Sequence, residues 1–117
     1  MKKTLACIAA LLLSTHCLAG DKEGTTVWGI GGMSCGKYLA AWDKGNNELK
    51  GAVLTWAQGY LTALNVELTL YKRKPLTYVE PEQIDAYLQK FCRDNPLGDV
   101  YLGVARLGNE RNPKQPA

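Results

Sequence analysis

Histidine is almost absent from this sequence of 117 residues, which excludes catalytic sites that depend on an imidazole but not acid–base work by Asp, Glu, Lys or Tyr. The single histidine, His16, lies in an N-terminal stretch that is typical of an export signal. A chain without histidine beyond that stretch cannot form a Ser-His-Asp or Cys-His site, and it offers no imidazole to zinc or copper. We therefore expect no catalytic residue, no metal site and no cofactor, and we predict that the chain is not an enzyme.

Long apolar runs are also missing, since a membrane span needs about 20 apolar residues and no run here reaches that length. Residues 1–19 combine a basic start, a short apolar stretch and a small-residue end, which predicts a secretory signal peptide. We expect cleavage after Ala19 and a location in the periplasm. A lipoprotein signal at Cys17 is the alternative, but it requires a small residue where His16 stands.

Net charge is small once the predicted signal peptide is removed. Two of the 14 basic residues lie in that peptide, so 12 basic residues face 11 acidic ones and the net charge is +1. Such a chain lacks the excess of positive charge that binding to nucleic acid or to an anionic membrane surface requires. We expect a protein partner and no nucleic acid.

Cysteine is scarce as well, because only Cys35 and Cys92 remain of the four cysteines in the sequence. In an exported chain two cysteines most simply form one disulfide. Free thiols or a redox pair are the alternative, but there is no Cys-x-x-Cys spacing to activate a thiol. A disulfide that closes so long a loop stabilises a fold by about 4 kcal/mol in the loop-entropy model.

What the sequence does contain is helical periodicity, since apolar residues recur at i, i+3, i+4 and i+7 in four segments. The first helix is predicted to begin after Ser34, a typical N-cap, and to end before Gly45. The second runs from Glu48 to about Leu70. Its last turns, residues 66–70, also alternate between apolar and polar as a strand would.

Proline and asparagine mark the other two predicted helices. The third opens at Pro81, because proline is favoured at the first helical position. Asn95 and Pro96 are predicted to end that helix and to begin the fourth, for which Gly108 is the expected C-cap. The predicted fold is a small, all-α, four-helix domain in which one disulfide joins the first helix to the third.

The predicted organisation is one domain with flanking segments. After the signal peptide come a glycine-rich arm at residues 20–33, the helical domain at 34–108 and a disordered tail at 109–117. Gly59 lies inside the second helix, where glycine costs roughly 1 kcal/mol relative to alanine. We therefore expect Gly59 to permit the close approach of another helix.

Aromatic residues on the predicted helix faces are the candidate contacts for a client or partner protein. A row of this kind is more often core than a ligand cage, but it supplies a large apolar area wherever it is exposed. The candidates are Trp42, Trp56, Tyr60, Phe91 and Tyr101.

Two charged clusters have simple structural interpretations. An enzyme would need a pocket with convergent acids such as Glu80, Glu82 and Asp85, but acids suit the start of a helix and we expect these to be exposed. The three adjacent cations at residues 72–74 could contact an acidic partner. A solvated helix end, where cations suit the helix dipole, is the simpler interpretation.

Three motifs together resemble the HdeA/HdeB family of periplasmic acid-stress proteins. They are a cysteine followed by an aromatic-Leu pair at 35–39, the sequence Gly-Tyr-Leu-Thr-Ala-Leu-Asn at 59–65, and an aromatic-Cys-basic-x-Asn-Pro corner at 91–96. The resemblance covers residues 33–105. It implies a small helical protein that is dimeric at neutral pH and that acid converts into a partly opened monomer, which holds unfolded clients.

The physics of an acid switch is compatible with this composition. Below about pH 3 most carboxylates are protonated, so the net charge of the exported chain rises from +1 towards +12. Self-repulsion then opposes the compact state, while a disulfide would prevent complete unravelling. The chain also resembles the Rap/Tai immunity proteins, and that resemblance implies the inhibition of a secreted cell-wall amidase toxin instead.

Overall fold

The computed structural model describes residues 26–113. The predicted signal peptide, its cleavage site, the first part of the arm and residues 114–117 of the tail lie outside this range. A short 3-10 helix is followed by four α-helices, and the described residues contain no β-strand. The elements are the 3-10 helix Gly29–Gly32, α1 (Cys35–Asp43), α2 (Asn47–Leu70), α3 (Pro81–Asp94) and α4 (Val100–Arg111). The prediction of an all-α, four-helix fold is confirmed.

A disulfide joins α1 to α3 at Cys35 and Cys92, as predicted. Both cysteines are fully buried, and their Cα atoms lie 4.9 Å apart across a sequence separation of 57. The bond therefore links two helices that are distant in sequence and that pack directly on each other.

The core lies between the four helices and receives at least two buried side chains from each of them. Its members include Cys35 and Tyr38 from α1, Val53 and Ala57 from α2, Ile84 and Leu88 from α3, and Val100 and Val104 from α4. No polar or charged residue among those described is classed as buried, so hydrophobic burial is the main source of stability. No helix in the described range is long and apolar enough to cross a membrane.

The first helix begins where the sequence predicts, and the second begins at Asn47, just before the predicted start at Glu48. Ser34 Oγ accepts a hydrogen bond from the backbone N–H of Lys37 at 3.4 Å, and Asn46 Oδ1 accepts one from Leu49 at 3.0 Å. Each polar side chain thus satisfies a backbone donor that the helix itself leaves free. Residues 66–70 are helical, which resolves their ambiguity in favour of one continuous α2.

The fourth helix begins later than predicted. Asn95 is the C-cap of α3, but Pro96 lies in a turn and not at a helix start. The N-cap of α4 is Asp99, whose Oδ1 accepts a hydrogen bond from the backbone N–H of Leu102 at 2.8 Å. Proline suits a turn as well as a first helical turn, and Asp99 supplies the capping oxygen that starts the helix.

The fourth helix also ends later than predicted, at Arg111, so residues 109–111 are helical and not part of a disordered tail. Gly108 is not the C-cap. It is buried within α4, where an added Cβ would lie 3.0 Å from Leu64 Cδ2 on α2. The missing side chain therefore permits contact between α4 and α2.

Gly59 does not mediate the close helix approach that its position predicted. It is exposed, and no atom lies within 4 Å of a Cβ built on it. The close approach occurs on α4, where a Cβ on Gly103 would lie 2.7 Å from Leu88 Cδ2. Both glycines that permit helix packing, Gly103 and Gly108, thus belong to the same helix.

Candidate binding surface

Four aromatic side chains from separate parts of the chain form one surface, which we call the aromatic face. It consists of Trp28 before the 3-10 helix, Trp56 and Tyr60 on α2, and Tyr101 on α4. The rings of Trp56 and Tyr60 stack with centroids 5.6 Å apart, and Tyr60 meets Tyr101 edge-on at 5.7 Å. Offset and edge-to-face contacts of this kind hold aromatic side chains in fixed positions.

The glycine-rich arm positions the aromatic face. Trp56 Nε1–H donates a hydrogen bond to the carbonyl oxygen of Trp28 at 2.9 Å. Gly31 is buried beneath the indole of Trp56, and any side chain built on Gly31 would overlap that ring. The arm can therefore lie against α2 only because residue 31 has no side chain.

The aromatic face is open to solvent on one side. Trp28 is 81% exposed, whereas Trp56, Tyr60 and Tyr101 are half-buried. Together with Thr26 and Val27, these rings line an open cleft of about 240 Å³. The surface offers a large apolar area with tyrosine hydroxyls, a combination that is common in protein interfaces.

Three of the five predicted contact residues meet in the aromatic face, and two do not. Trp42 lies under the Lys50 ammonium group, which is 3.8 Å from the centre of its ring. Phe91 packs against α4 beside Gly103. Trp28 was not predicted as a contact residue, because the arm has no periodic pattern of apolar residues.

A second exposed apolar group lies at the end of α2, and we call it the α2-end surface. It consists of Val66, Leu70 and Tyr71 together with Tyr78 from the segment that follows. These side chains are between 56% and 77% exposed. Thr62 and Asn65 line both a shallow pocket with Val66 and Leu70 and a second pocket with Tyr78, and we call these two adjoining pockets the groove. A third, smaller group at the corner between α3 and α4 contains Leu97, which is fully exposed, and Leu102.

Carboxylates accept both of the direct hydrogen bonds that join side chains of different helices in the described structure. The hydroxyl group of Tyr38 on α1 donates a hydrogen bond to Asp85 Oδ1 on α3 at 2.7 Å. Tyr87 on α3 donates to Glu110 Oε1 on α4 at 2.9 Å. Burial, followed by the hydrogen bond to Asp85, raises the pKa of Tyr38 far above its usual value, and burial with the Glu110 bond raises the pKa of Tyr87 to about 12.

These tyrosines predict a loss of stability at alkaline pH. An unfolded tyrosine ionises near pH 10.0, whereas folded Tyr87 keeps its proton up to about 12. Because the folded-state pKa is raised, the stabilisation is complete below pH 10.0 and is lost as the pH rises towards 12. Urea unfolding across this range, with tyrosinate absorbance recorded in parallel, should show the loss. A Tyr87→Phe variant should lose less stability than the unmodified protein over the same interval, and an identical loss would contradict the assignment.

The three acids considered for an enzyme do not converge. Glu80 and Glu82 are exposed, as expected, and the backbone N–H of Glu80 donates to Gln83 Oε1 at the start of α3. Asp85 was also expected to be exposed, but this was wrong: it is half-buried because it accepts the hydrogen bond of the buried Tyr38. Within residues 26–113 no group of three or more His, Cys, Asp or Glu side chains is arranged to hold a metal ion.

No protein-family model, no curated protein and no solved structure matches the chain. The resemblances to the HdeA/HdeB and Rap/Tai groups therefore rest on the sequence motifs alone.

Proposed function

We propose that this chain is a protein-binding domain of the HdeA/HdeB type, which holds client proteins through apolar surface that acid enlarges. The observation that carries the proposal is the hydrogen bond from Tyr87 to Glu110, which joins α3 to α4, whereas the Tyr38–Asp85 bond lies between the two helices that the disulfide also holds together. Both bonds weaken when the carboxylates are protonated, because a charge-assisted hydrogen bond is roughly twice as strong as a neutral one. The exposed apolar groups of the folded domain supply the initial contact area.

The disulfide determines which helices separate in acid under this proposal. It keeps α1 on α3, whereas α2 and α4 are attached by noncovalent packing. Below about pH 3 the protein acquires a large positive charge, and repulsion favours the movement of α2 and α4 away from that pair. Their separation would expose core side chains such as Val53 and Val104, which then bind unfolded clients.

The test is to mix the exported form with an aggregation-prone client at about pH 2–3, below the usual pKa of carboxyl groups. Hydrophobic-dye binding reports the opening of the domain, and light scattering reports the suppression of aggregation. We expect both effects at acidic pH and little of either at neutral pH. An absence of dye binding together with unimpeded aggregation would refute the proposal.

Amide variants test the carboxylate trigger. The double variant Asp85→Asn/Glu110→Gln imitates the uncharged acceptors, so dye binding should begin at a higher pH than in the unmodified protein. The matched control is Asp43→Asn/Glu67→Gln, which removes the same two charges from exposed positions at helix ends. If both variants shift the onset equally, net charge alone controls opening and the two hydrogen bonds have no special role.

A second candidate function is the inhibition of a secreted amidase toxin at neutral pH. One observation favours it: the α2-end surface and Trp28 are already exposed in the folded domain, so binding through them needs no opening. This function predicts tight binding to one folded partner at neutral pH. An effector gene directly beside the gene for this chain would support it.

A further inference from the structure

The end of α2 combines exposed apolar residues with a dense group of cations. We propose that the α2-end surface and its basic rim form a docking site for a folded protein that presents apolar side chains surrounded by acidic ones. This inference goes beyond acid-dependent holding of clients, because the site is complete in the native domain at neutral pH.

The apolar part of the site lines the two adjoining pockets of the groove. Val66 and Leu70 are one turn apart on the same side of α2 and are 56% and 77% exposed. Tyr78 lines the other pocket of the groove and is also 77% exposed. The segment that bears Tyr78 is anchored, because the backbone N–H of Leu76 donates to Asn65 Oδ1 at 2.7 Å and Leu76 itself is buried. The groove is therefore a formed feature of the fold.

The basic rim consists of Lys72, Arg73 and Lys74, which directly follow the exposed Tyr71. All three are exposed. A fourth cation, Arg111, lies at the same end of the molecule, because its carbonyl oxygen accepts a hydrogen bond from the backbone N–H of Thr77 at 3.2 Å. The rim places positive charge next to the apolar groove.

These four cations are not neutralised within the described structure. Its two ion pairs are Lys90–Asp94 and Arg106–Glu110, and neither includes a member of the rim. Glu67, one turn before Tyr71, is exposed and makes no ion pair with the described residues. The excess of positive charge at this end is thus available to an acidic partner.

A solvated helix end does not fully account for the rim. Two carbonyl oxygens of the last turn already have backbone partners: the N–H of Lys72 donates to Thr69 at 3.0 Å, and the N–H of Arg73 donates to Leu68 at 2.8 Å. Cationic side chains are therefore not needed to satisfy them. Lys72 also adopts a φ of 54°, in the left-handed region where glycine is favoured. The fold alone would favour glycine at this position, whereas a binding site would favour the charge.

Charge favours an acidic protein over two other occupants. A second copy of this chain would bring one basic rim against another across a symmetric interface, and like charges placed together oppose association. An anionic membrane would also attract the rim, but the exported chain as a whole has a net charge of only +1, so the rest of its surface gains little from such a membrane. An acidic protein surface with an apolar centre complements both parts of the site.

The test uses a peptide probe in which aspartate and glutamate surround leucine and tryptophan, with a probe of the same length that carries glutamine and asparagine at the acidic positions. Each is titrated into isotopically labelled protein at neutral pH and low salt, and amide chemical shifts are recorded. We expect the acidic probe to shift residues 62–78 and to bind about tenfold more tightly than its neutral counterpart. This difference should shrink at high salt because exposed charges are screened.

Two pairs of variants locate the site. Lys72→Gln/Lys74→Gln should weaken binding of the acidic probe by about five- to tenfold. The control, Lys37→Gln/Lys44→Gln, makes the same change in net charge at exposed residues of α1 and its C-cap and should not weaken binding. Leu70→Ser should weaken it, whereas Leu97→Ser, at a fully exposed leucine elsewhere, should not. Equal effects within either pair would overturn the proposal.

Other outcomes would also overturn it. No binding of the acidic probe, or equal binding of the acidic and neutral probes, would show that charge does not define this site. Binding to vesicles of phosphatidylglycerol at least as strong as binding to the peptide would assign the surface to a membrane. Shifts of residues 62–78 that depend on protein concentration without any probe would assign it to a second copy of the chain. Failure of acid-dependent client holding would leave all these measurements unaffected, so the two proposals fail separately.

Discussion

Replacing Cys35 and Cys92 together with alanine is expected to lower the free energy of unfolding by about 2–5 kcal/mol. The bond joins α1 to α3 across a sequence separation of 57, so its removal restores a large amount of conformational freedom to the unfolded chain. Such a loss is comparable to the whole stability of a small domain, which is about 5–10 kcal/mol. Urea unfolding of the variant and of the unmodified protein would measure the difference.

The same double variant also shows how much the disulfide contributes to the structure in acid. At neutral pH it should still show helical circular dichroism if the remaining core is sufficient, but it should unfold at a lower urea concentration. In acid it should lose most of its helical signal, because no covalent bond then holds α1 against α3. Unfolding curves that coincide with those of the unmodified protein would mean that the core alone supports the fold. Mass spectrometry before and after reduction is the control that the unmodified protein carries the bond.

Local patterns were sufficient to predict most of the fold. The helices were recognisable because each buries one face, and the spacing of its apolar residues records that face directly. The disulfide was predictable because only two cysteines remain in the exported chain, and the structure joins Cys35 and Cys92. These features depend on residues within one element or on a residue type that has only one partner.

Contacts between elements were harder to predict. A glycine reveals that a side chain is missing but not what occupies the space, so the predicted helix contact at Gly59 and the predicted C-cap at Gly108 were both wrong. Gly59 faces solvent, and Gly108 packs against α2. The start of α4 had the same difficulty, because Asn95, Pro96 and Asp99 are all plausible boundary residues and only the turn geometry selects Asp99.

The binding surface was predictable only in part, for the same reason. Trp56 and Tyr60 are one turn apart on α2, so their proximity follows from helical spacing. The contribution of Trp28 depends on how the arm folds back, which no periodic pattern records. The α2-end surface was not predicted either, since an apolar residue at helical spacing is expected to be buried, and Leu70 is 77% exposed.

The disulfide and the exposed surfaces lie on different helices of the domain. The covalent bond lies between α1 and α3. The aromatic face and the α2-end surface both depend on α2, which carries Trp56 and Tyr60 at one place and Val66 and Leu70 further along. A partner bound to the native domain would therefore contact mainly the helix that is expected to move in acid. Binding at neutral pH should accordingly oppose opening, because a ligand of the folded state stabilises that state.

A single added methyl group on Gly31 is expected to disrupt the aromatic face. Gly31 lies beneath the Trp56 indole, and a Cβ there would overlap the ring, so Gly31→Ala must displace either the arm or Trp56. Overpacking of this kind usually costs about 1–3 kcal/mol. Gly31 does not have a positive φ, so alanine can adopt the backbone conformation and the loss reflects packing only.

The control is Gly36→Ala on α1, where no atom lies within 4 Å of an added Cβ and the position is exposed. That substitution should leave stability unchanged or raise it by about 0.5–1 kcal/mol, because alanine is the better helix former. Fluorescence of a protein in which Trp28 and Trp42 are replaced by phenylalanine reports Trp56 alone. Its emission should move to longer wavelength with Gly31→Ala, since displacement exposes the indole to water. Unchanged emission with unchanged stability would show that the arm does not hold Trp56, and the aromatic face would then lack the rigidity that a preformed binding surface requires.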